Sequence, residues 1–598
     1  GAEEYPLFVT PERPLGVPGV RGGVVTTSEP AAARVGARIL RAGGNAVDAA
    51  VAVAYALNVV EPQSSGIGGG GFMVIHLADE ERTVTVDSRE TAPGAAAPGM
   101  FVPFTGPGGG GFDAASTSGI AVGVPGMVRG TALALERWGT RSFARVLQPA
   151  IELAADGFRV GPRLAASVRS PRLRNEPGNP AYEEARSVFL PGGTPLREGE
   201  LLVQPDLAAT LRLLAEQGPD AFYTGALARD IVTTQLATRS ANAGGTGRMV
   251  AADLAGYEAR VRAPVEGDYR GFTIKGMGPP SSGPLTVIHA LALMERFPVG
   301  DEDAGFGFGS ARALNVFIEA MRLGFADRAV WMGDGDFVDV PVEGLLSEGY
   351  IDRRSALIDP DSRRPSVAAD DPRAYDGSRA DSPDVQLAAR APTGDRGTNT
   401  THFSIVDRHG NVVSYTNTVE SAWGTGLMVP GRGFLLNNEL TDFNLVPAFD
   451  PDPESFDPGA NDAAPNKRPR SSMAPVIVFD GEGPVAAFGS PGGSTIISTV
   501  TQVAQNLIDH DLDVQEAVDA PRLAQTSASG STRREAGLSE AVIDELSAAP
   551  YGHDFRDPAA IGSVQAVVID PRGGLRYGAA DRRRVGGVVT LRGDAVEP

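Results

Sequence analysis

The most chemically suggestive feature of the chain is a pair of threonines set at opposite ends of a short hairpin. Two β-rich runs, Thr400-Thr401-His402-Phe403-Ser404-Ile405-Val406-Asp407 and Asn411-Val412-Val413-Ser414-Tyr415-Thr416-Asn417-Thr418, flank Arg408, His409 and Gly410. A three-residue loop ending in glycine is the pattern of a type I turn closed by a glycine bulge, and it fixes strand register. With Asp407 opposite Asn411, Thr400 falls opposite Thr418, and directly opposed Cβ atoms lie ~4.5–5.5 Å apart. Two hydroxyls at that separation are within hydrogen-bond reach of each other. A Thr–Thr pair is also an ordinary cross-strand contact, and the pattern leaves both readings open.

Composition narrows the remaining chemistry. The 598 residues include no cysteine, which removes thiolate nucleophiles, iron–sulfur clusters and cysteine-ligated zinc. Only Lys275 and Lys467 are lysines, and neither is followed by the Ser or Thr of a phosphate-binding loop. Six scattered histidines form no H-E-x-x-H pair, and no G-x-S-x-G elbow occurs. Hydroxyls, carboxylates, arginines and backbone amides are left to carry a reaction. A formal net charge of −21 argues against broad binding to nucleic acid or to an anionic membrane surface. No segment approaches the roughly 18 uninterrupted apolar residues of a membrane span. Gly1-Ala2-Glu3-Glu4-Tyr5 has neither the basic nor the apolar region of a signal peptide.

Several elements must position these groups. Residues 31–42 read as a helix stopped by Gly43-Gly44, and Asn45 caps a second helix with Asp48 in its first turn. The run Gly66-Ile67-Gly68-Gly69-Gly70-Gly71 has five glycines in six residues, which predicts the close passage of another backbone; a flexible turn is the bland alternative. Residues 77–91 read as a hairpin and 120–350 as largely helical. Residues 355–399, rich in Pro, Asp, Arg, Ser and Ala without an apolar period, read as exposed or disordered. Pattern alone gives a mixed α and β protein.

The residues also resemble a known family. Asn399-Thr400-Thr401-His402-Phe403-Ser404 is similar to the processing site of the γ-glutamyltranspeptidases, the threonine-dependent branch of the N-terminal nucleophile hydrolases. The likeness extends through Val86-Asp87-Ser88-Arg89-Glu90-Thr91-Ala92-Pro93, Ser421-Ala422-Trp423-Gly424-Thr425-Gly426 and Leu436-Asn437-Asn438-Glu439-Leu440-Thr441-Asp442-Phe443. It continues in Pro465-Asn466-Lys467-Arg468-Pro469-Arg470-Ser471-Ser472-Met473, Gly489-Ser490-Pro491-Gly492-Gly493 and Gly578-Ala579-Ala580-Asp581-Arg582-Arg583-Arg584.

The resemblance implies an α+β fold, the four-layer αββα sandwich, built as a heterodimer from one self-cleaved precursor. The cut would fall at Asn399–Thr400, giving a large subunit, 1–399, with an exposed, flexible 355–399 tail, and a small subunit, 400–598. Thr400 would be the nucleophile and its freed α-amino group the base, since such a group has an ordinary pKa near 7.7–8.0. Thr418 would orient the hydroxyl, and the N–H groups of Gly492 and Gly493 would form the oxyanion hole. Arg89 would bind the substrate α-carboxylate with help from Ser471 and Ser472, while Glu420, Glu439 and Asp442 would accept from the α-ammonium. Many relatives carry a neutral residue where this chain has Glu420.

The implied reaction cleaves γ-glutamyl amides, glutathione among them, through a γ-glutamyl-Thr400 ester that passes to water or to an amino acid or peptide. It needs no metal or organic cofactor. The resemblance also implies a periplasmic or secreted protein, and a lid in residues 444–464. Pro284 stands where relatives usually have Gly, away from any proposed catalytic group. Three rivals stay open. A glutaryl or β-lactam side-chain acylase of the same fold is disfavoured by the three carboxylates, which would face an apolar chain. A polyglutamate-processing transpeptidase would need an open groove. An unprocessed, inactive binding protein is the third.

Overall fold

Strands that are apolar on both faces need a cover on each side. Val24, Val74, Val406, Val412, Ile477 and Val567 point into one buried layer. Their neighbours Val25, Met73, Ile75, Ile405 and Val413 point into a second, and Val476, Val478, Ala566 and Val568 into a third. This alternation of period two, buried on both sides, specifies two sheets packed face to face with helices outside. The computed structural model describes residues 19–173, 176–237, 245–376, 385–388, 399–570 and 573–593.

Before residue 400 lie β1 (Val24–Thr27), β2 (Gly70–Leu77), β3 (Arg82–Asp87), β4 (Arg260–Arg262), β5 (Val265–Tyr269) and β6 (Phe272–Gly276). After it come β7 (Thr401–Val406), β8 (Val412–Thr418), β9 (Val476–Phe479), β10 (Pro484–Gly489), β11 (Gln565–Ile569), β12 (Arg576–Ala580) and β13 (Gly587–Thr590). A seven-stranded sheet runs β13-β1-β7-β8-β2-β3-β4, and a six-stranded sheet runs β12-β11-β10-β9-β6-β5. All these pairings are antiparallel.

Helices α1 (Pro30–Arg41) and α2 (Ala46–Val60) cover the first sheet. Asn45 accepts from the Asp48 N–H, and the Asp48 side chain accepts from the Asn45 N–H, so the expected cap is a reciprocal capping box. Every residue of α2 is buried, because the helix lies between the sheet and a further layer of helices. Helices α3 (Gly283–Met294), α4 (Ala311–Trp331) and α5 (Thr495–Ile508) pack on the second sheet. The result is the four-layer αββα sandwich of the N-terminal nucleophile hydrolases.

Two local expectations concern the hairpin and the glycine run. Val406 pairs with Val412, Phe403 with Tyr415 and Thr401 with Asn417, the register that sets Thr400 opposite Thr418. Gly410 adopts φ +88°, and the Asp407 carboxylate accepts from the N–H groups of His409 and Asn411. In the glycine run, a Cβ at Gly68 would lie 1.9 Å from the Leu435 carbonyl oxygen, and one at Gly69 would lie 2.2 Å from that of Thr418. Backbone does approach this loop closely.

Of the segment read as exposed, residues 355–376, 385–388 and 399 are described, and Asn399 is buried, held by Ser64 and Thr418 rather than exposed. Many of these side chains are exposed, yet backbone carbonyls anchor the segment: Asn315 Nδ2 donates to Asp359 at 2.9 Å and Trp331 Nε1 to Asp370 at 2.8 Å. Arg373 stacks between Trp331 and Phe456, 5.0 Å from each ring. Residues 377–384 and 389–398 of that expectation lie outside the described residues. The loop at 444–464 is tied to itself by Asp462, whose carboxylate accepts from the Ala448 and Phe449 N–H groups at 2.8 and 2.9 Å.

Candidate active site

Thr400 lies at the mouth of the layer between the sheets, on the same face of β7 as His402, Ser404 and Val406. Beneath it the layer is polar. His402 Nδ1 lies 2.8 Å from Thr416 Oγ1 and its Nε2 2.9 Å from Ser404 Oγ, and Ser404 Oγ donates to the Gln565 carbonyl of the other sheet at 2.9 Å. Burial pushes the His402 imidazole down to about 3, so it stays neutral. Both its nitrogens are engaged by hydroxyls, which makes it a strut between strands despite standing two residues from Thr400.

The two threonines meet through one saturated hydroxyl. Thr418 Oγ1 donates to the Asn399 carbonyl oxygen at 3.0 Å and accepts from the Glu420 N–H at 2.8 Å. Its oxygen lies 3.1 Å from Thr400 Oγ1. Since a hydroxyl has one donor and two lone pairs, the Thr400 hydroxyl must be the donor in that contact. Thr418 therefore holds both the Thr400 hydroxyl and the carbonyl that precedes it.

The two residues flanking the Asn399–Thr400 bond are held by other groups as well. Arg584 Nη1 donates to the Thr400 carbonyl at 2.7 Å and pairs with Glu61 at 2.8 Å, while its Nη2 reaches Asn399 Oδ1 at 3.3 Å. Ser64 Oγ donates to the same Asn399 oxygen at 2.8 Å. Burial pulls the Arg584 guanidinium down to about 10, with Glu61 opposing. Gly492 and Gly493, at φ +133° and +60°, lie just before α5, and neither N–H donates to a protein acceptor among the described residues. A Cβ at Gly492 would meet Thr495 Oγ1 at 2.4 Å.

The charged residues form a second, buried cluster. Arg89 Nη1 pairs with Glu439 and Nη2 with Asp442, each at 2.6 Å. Its Nε and Nη2 also donate to the carbonyls of Pro469 and Arg470 at 3.1 and 2.9 Å. Glu420 accepts from Asn438 Nδ2 and, at 2.7 Å, from Ser421 Oγ. Burial works against the Arg89 charge, but Glu439, Asp442 and Glu90 more than offset it and hold the guanidinium protonated. Burial raises Glu439 despite Arg89, with Glu90, Asp442 and Glu420 adding to the rise, and Glu90 is pushed up to about 7 by burial. Burial is the largest cause of both shifts, and Arg89, shared among Glu439, Asp442 and Glu90, offsets only part of it.

Ser471 and Ser472 stand beside this cluster with their hydroxyls engaged. Ser471 Oγ accepts from the Met473 N–H at 3.1 Å, and Ser472 Oγ accepts from Arg328 Nη2 at 2.7 Å. The structure thus brings together Asn399, Thr400 and Thr418, and separately Arg89, Glu420, Glu439 and Asp442. Sequence reasoning did not single out Glu61, Glu90, Asn438, Arg328 or Arg584. Glu90, Asn438 and Arg584 lie inside the motif blocks, and adjacency to Arg89 and Glu439 is the one signal for the first two; Glu61 and Arg328 carry no local signal.

A four-layer sandwich with a threonine at the head of a central strand defines the N-terminal nucleophile hydrolase class. The fold is similar to that of a cephalosporin acylase from Bacillus halodurans, with TM-score 0.82 and 27% identity over 99% of each chain. A family model described as gamma-glutamyltranspeptidase matches residues 32–591, and the chain belongs to that family of enzymes. It is 40% identical to a glutathione hydrolase proenzyme of Bacillus subtilis (strain 168), over 96% of this chain and 92% of that one. It is also 38% identical to an acylase ACY 1 proenzyme of Pseudomonas sp. (strain SE83), over 96% and 94% respectively. No described helix is long and apolar enough to cross a membrane.

Proposed function

We propose that this enzyme cleaves itself between Asn399 and Thr400 and then hydrolyses or transfers γ-glutamyl groups from glutathione or related amides. The observation that carries the reading is the Thr418 hydroxyl, bonded at once toward Thr400 Oγ1 and the Asn399 carbonyl. In the first step Thr400 Oγ attacks the Asn399 carbonyl carbon, the C–N bond breaks, and its nitrogen takes the hydroxyl proton to become the α-amine. Water then hydrolyses the ester, leaving the carboxyl on Asn399 and the hydroxyl on Thr400. The freed amine serves as base in turnover, in which Thr400 attacks the γ-carbonyl and the free N–H groups of Gly492 and Gly493 stabilise the oxyanion.

Arg89 with Ser471 and Ser472 would receive the α-carboxylate, and Glu420, Glu439 and Asp442 the α-ammonium. A zwitterion suits such a cluster because its ammonium would face carboxyls while its carboxylate faces the Arg89 guanidinium. The acceptor would be water, an amino acid or a peptide, and the subunits 1–399 and 400–598 would remain associated. An exported location follows from the same family reading and is tested by fractionating the source cells. The acylase relatives favour one rival: a glutaryl amide, which lacks the α-amine. Intact mass beside Thr400→Ala tests the first claim: two fragments meeting at Asn399–Thr400, absent from the variant, are expected, and a single uncut chain overturns it. Turnover of a γ-glutamyl anilide at least ~100-fold above the glutaryl anilide is the expected second result, since unpaired buried carboxylates are costly. The reverse preference gives the acylase reading.

A further inference from the structure

Two glycine N–H groups have no side chains of their own to aim them, so their direction must be set from outside. Gly492 lies at φ +133° and Gly493 at φ +60°, conformations that glycine enters and leaves at little cost. A trans peptide unit is planar, so its N–H points opposite to its C=O. Holding the carbonyl of a peptide therefore fixes the direction of the N–H in the same unit. The Gly492 N–H shares its peptide with the Pro491 carbonyl, and the Gly493 N–H shares its own with the Gly492 carbonyl.

Each of those two carbonyls accepts a bond from a buried hydroxyl. Ser490 Oγ donates to the Pro491 carbonyl and Thr495 Oγ1 to the Gly492 carbonyl, both at 2.7 Å. The hydroxyls are themselves fixed. Ser490 Oγ accepts from the Ser563 N–H at 3.0 Å. Thr495 begins α5; its N–H also donates to the Gly492 carbonyl, at 3.2 Å, and the Ile496 N–H donates to that of Gly493 at 3.1 Å. Backbone without a side chain passes each hydroxyl: a Cβ at Gly492 would lie 2.4 Å from Thr495 Oγ1, and one at Gly562 would lie 2.6 Å from Ser490 Oγ. A bond accepted at the carbonyl also polarises its amide, which makes the N–H a stronger donor.

We infer that Ser490 and Thr495 are positioning residues for the oxyanion hole, Ser490 aiming the Gly492 N–H and Thr495 the Gly493 N–H. The inference rests on the proposed reaction, in which Thr400 attacks an amide whose oxygen meets these two groups. It also separates turnover from self-cleavage. In the uncut chain the Asn399 carbonyl is held by Thr418 at 3.0 Å, and neither glycine N–H donates to it. Loosening the glycines then slows turnover and leaves the rate of self-cleavage unchanged.

The test compares Thr495→Val, Thr495→Ser and Ser490→Ala with the wild type in two assays, the fragment time course of self-cleavage and steady-state cleavage of a γ-glutamyl anilide. Thr495→Val and Ser490→Ala are expected to cleave themselves within ~2-fold of the wild-type rate and to lose ~10-fold in kcat at a KM within ~2-fold, since a misaimed donor costs less than a removed one. Valine keeps the shape of Thr495 and serine keeps its hydroxyl, so Thr495→Ser should restore most of kcat, which a packing role would not predict. A glutamate analogue with a boronic acid in place of the γ-carboxyl forms a tetrahedral adduct on Thr400. Its affinity should fall in step with kcat while that of glutamate holds. Unchanged kcat in both hydroxyl-free variants, a loss carried by KM, self-cleavage slowed as much as turnover, or valine outperforming serine overturns the inference. Should Ser490→Ala fail to fold, because the Ser563 N–H loses its acceptor, the Thr495 pair decides. A wild type that cleaves the glutaryl anilide instead moves the same comparison to that substrate, since attack on either amide needs the hole. A wild type that cleaves itself but neither anilide sinks the proposed reaction and this inference with it, whereas an active wild type with indifferent variants sinks the inference alone.

Discussion

Thr418 makes three contacts with one oxygen, and each contact does a different thing. In the proposed reaction the bond to Asn399 O would polarise the carbonyl, the bond from Glu420 N would fix the rotamer, and the contact with Thr400 would aim the proposed nucleophile. Thr418→Ala should therefore slow self-cleavage and, in processed enzyme, lower kcat by ~10²-fold, the usual cost of removing one preorganised donor. Thr418→Ser should restore most of both, as read from fragment time courses and single-turnover rates; an alanine variant that processes normally would rule out this role. Glu90 makes a pH argument. Its folded value of about 7 lies above the ordinary 4.5, so the folded state holds this proton more tightly than the unfolded chain does. Its contribution to stability is then full below about pH 4.5 and is lost as pH rises through about 7. Glu90→Gln cannot lose a proton, so the fall in Tm between pH 5 and pH 8 should be smaller than in the wild type. An equal or steeper fall would show that Glu90 is not the group responsible.

At the scale of elements, the loop of Gly66–Gly71 lets β8 and β2 close beside Thr418. Gly69→Ala would push a methyl to 2.2 Å from the Thr418 carbonyl oxygen and should destabilise the protein by about 3 kcal/mol, the upper end of overpacking costs. Gly106→Ala, with nothing within 4 Å, should stay within about 0.5 kcal/mol. Urea midpoints compare the two directly, and equal midpoints would mean the loop can move aside. The same loop shows what was legible. A run of glycines, a three-residue turn and an Asn-to-Asp capping box are local signals, and each carried its structural meaning in neighbouring residues. The Thr400–Thr418 geometry was legible because a hairpin converts spacing into contact. Sheet order was not, since β1 pairs with strands that begin at residues 401 and 587, and no local period records such a choice. Glu61 and Arg584 are 523 residues apart, which hid that clamp. Arg89 could be expected to bind a carboxylate from its place in a motif, but its pairing with Glu439 and Asp442 depends on which loops the fold brings together.

For the whole molecule, the proposed cut falls in a chain whose two parts are interleaved. Strand β1, from before residue 400, lies between β13 and β7, both from after it, and β6 and β5 of the earlier part complete the second sheet beside β9. Cutting Asn399–Thr400 removes one covalent bond and none of these pairings, so the halves cannot part without dissolving both sheets. The layer between the sheets draws on both halves as well, with Val24 and Val74 against Ile477, Ala487 and Val567. Processed protein should run in size exclusion as one species of the mass of the intact chain, 62.0 kDa, or a multiple of it. It should give two fragments only under denaturing conditions. Urea should separate the halves and abolish activity in one transition, because a half-sandwich exposes unpaired edges and an uncovered apolar face. Regaining activity from separated fragments should be slow and concentration-dependent, since pairings between distant segments are made in a single chain during first folding but between two molecules afterwards. Fragments that part at urea concentrations below the loss of far-ultraviolet circular dichroism would contradict the interleaved arrangement, and with it the idea that the cut frees Thr400 without loosening the site around it.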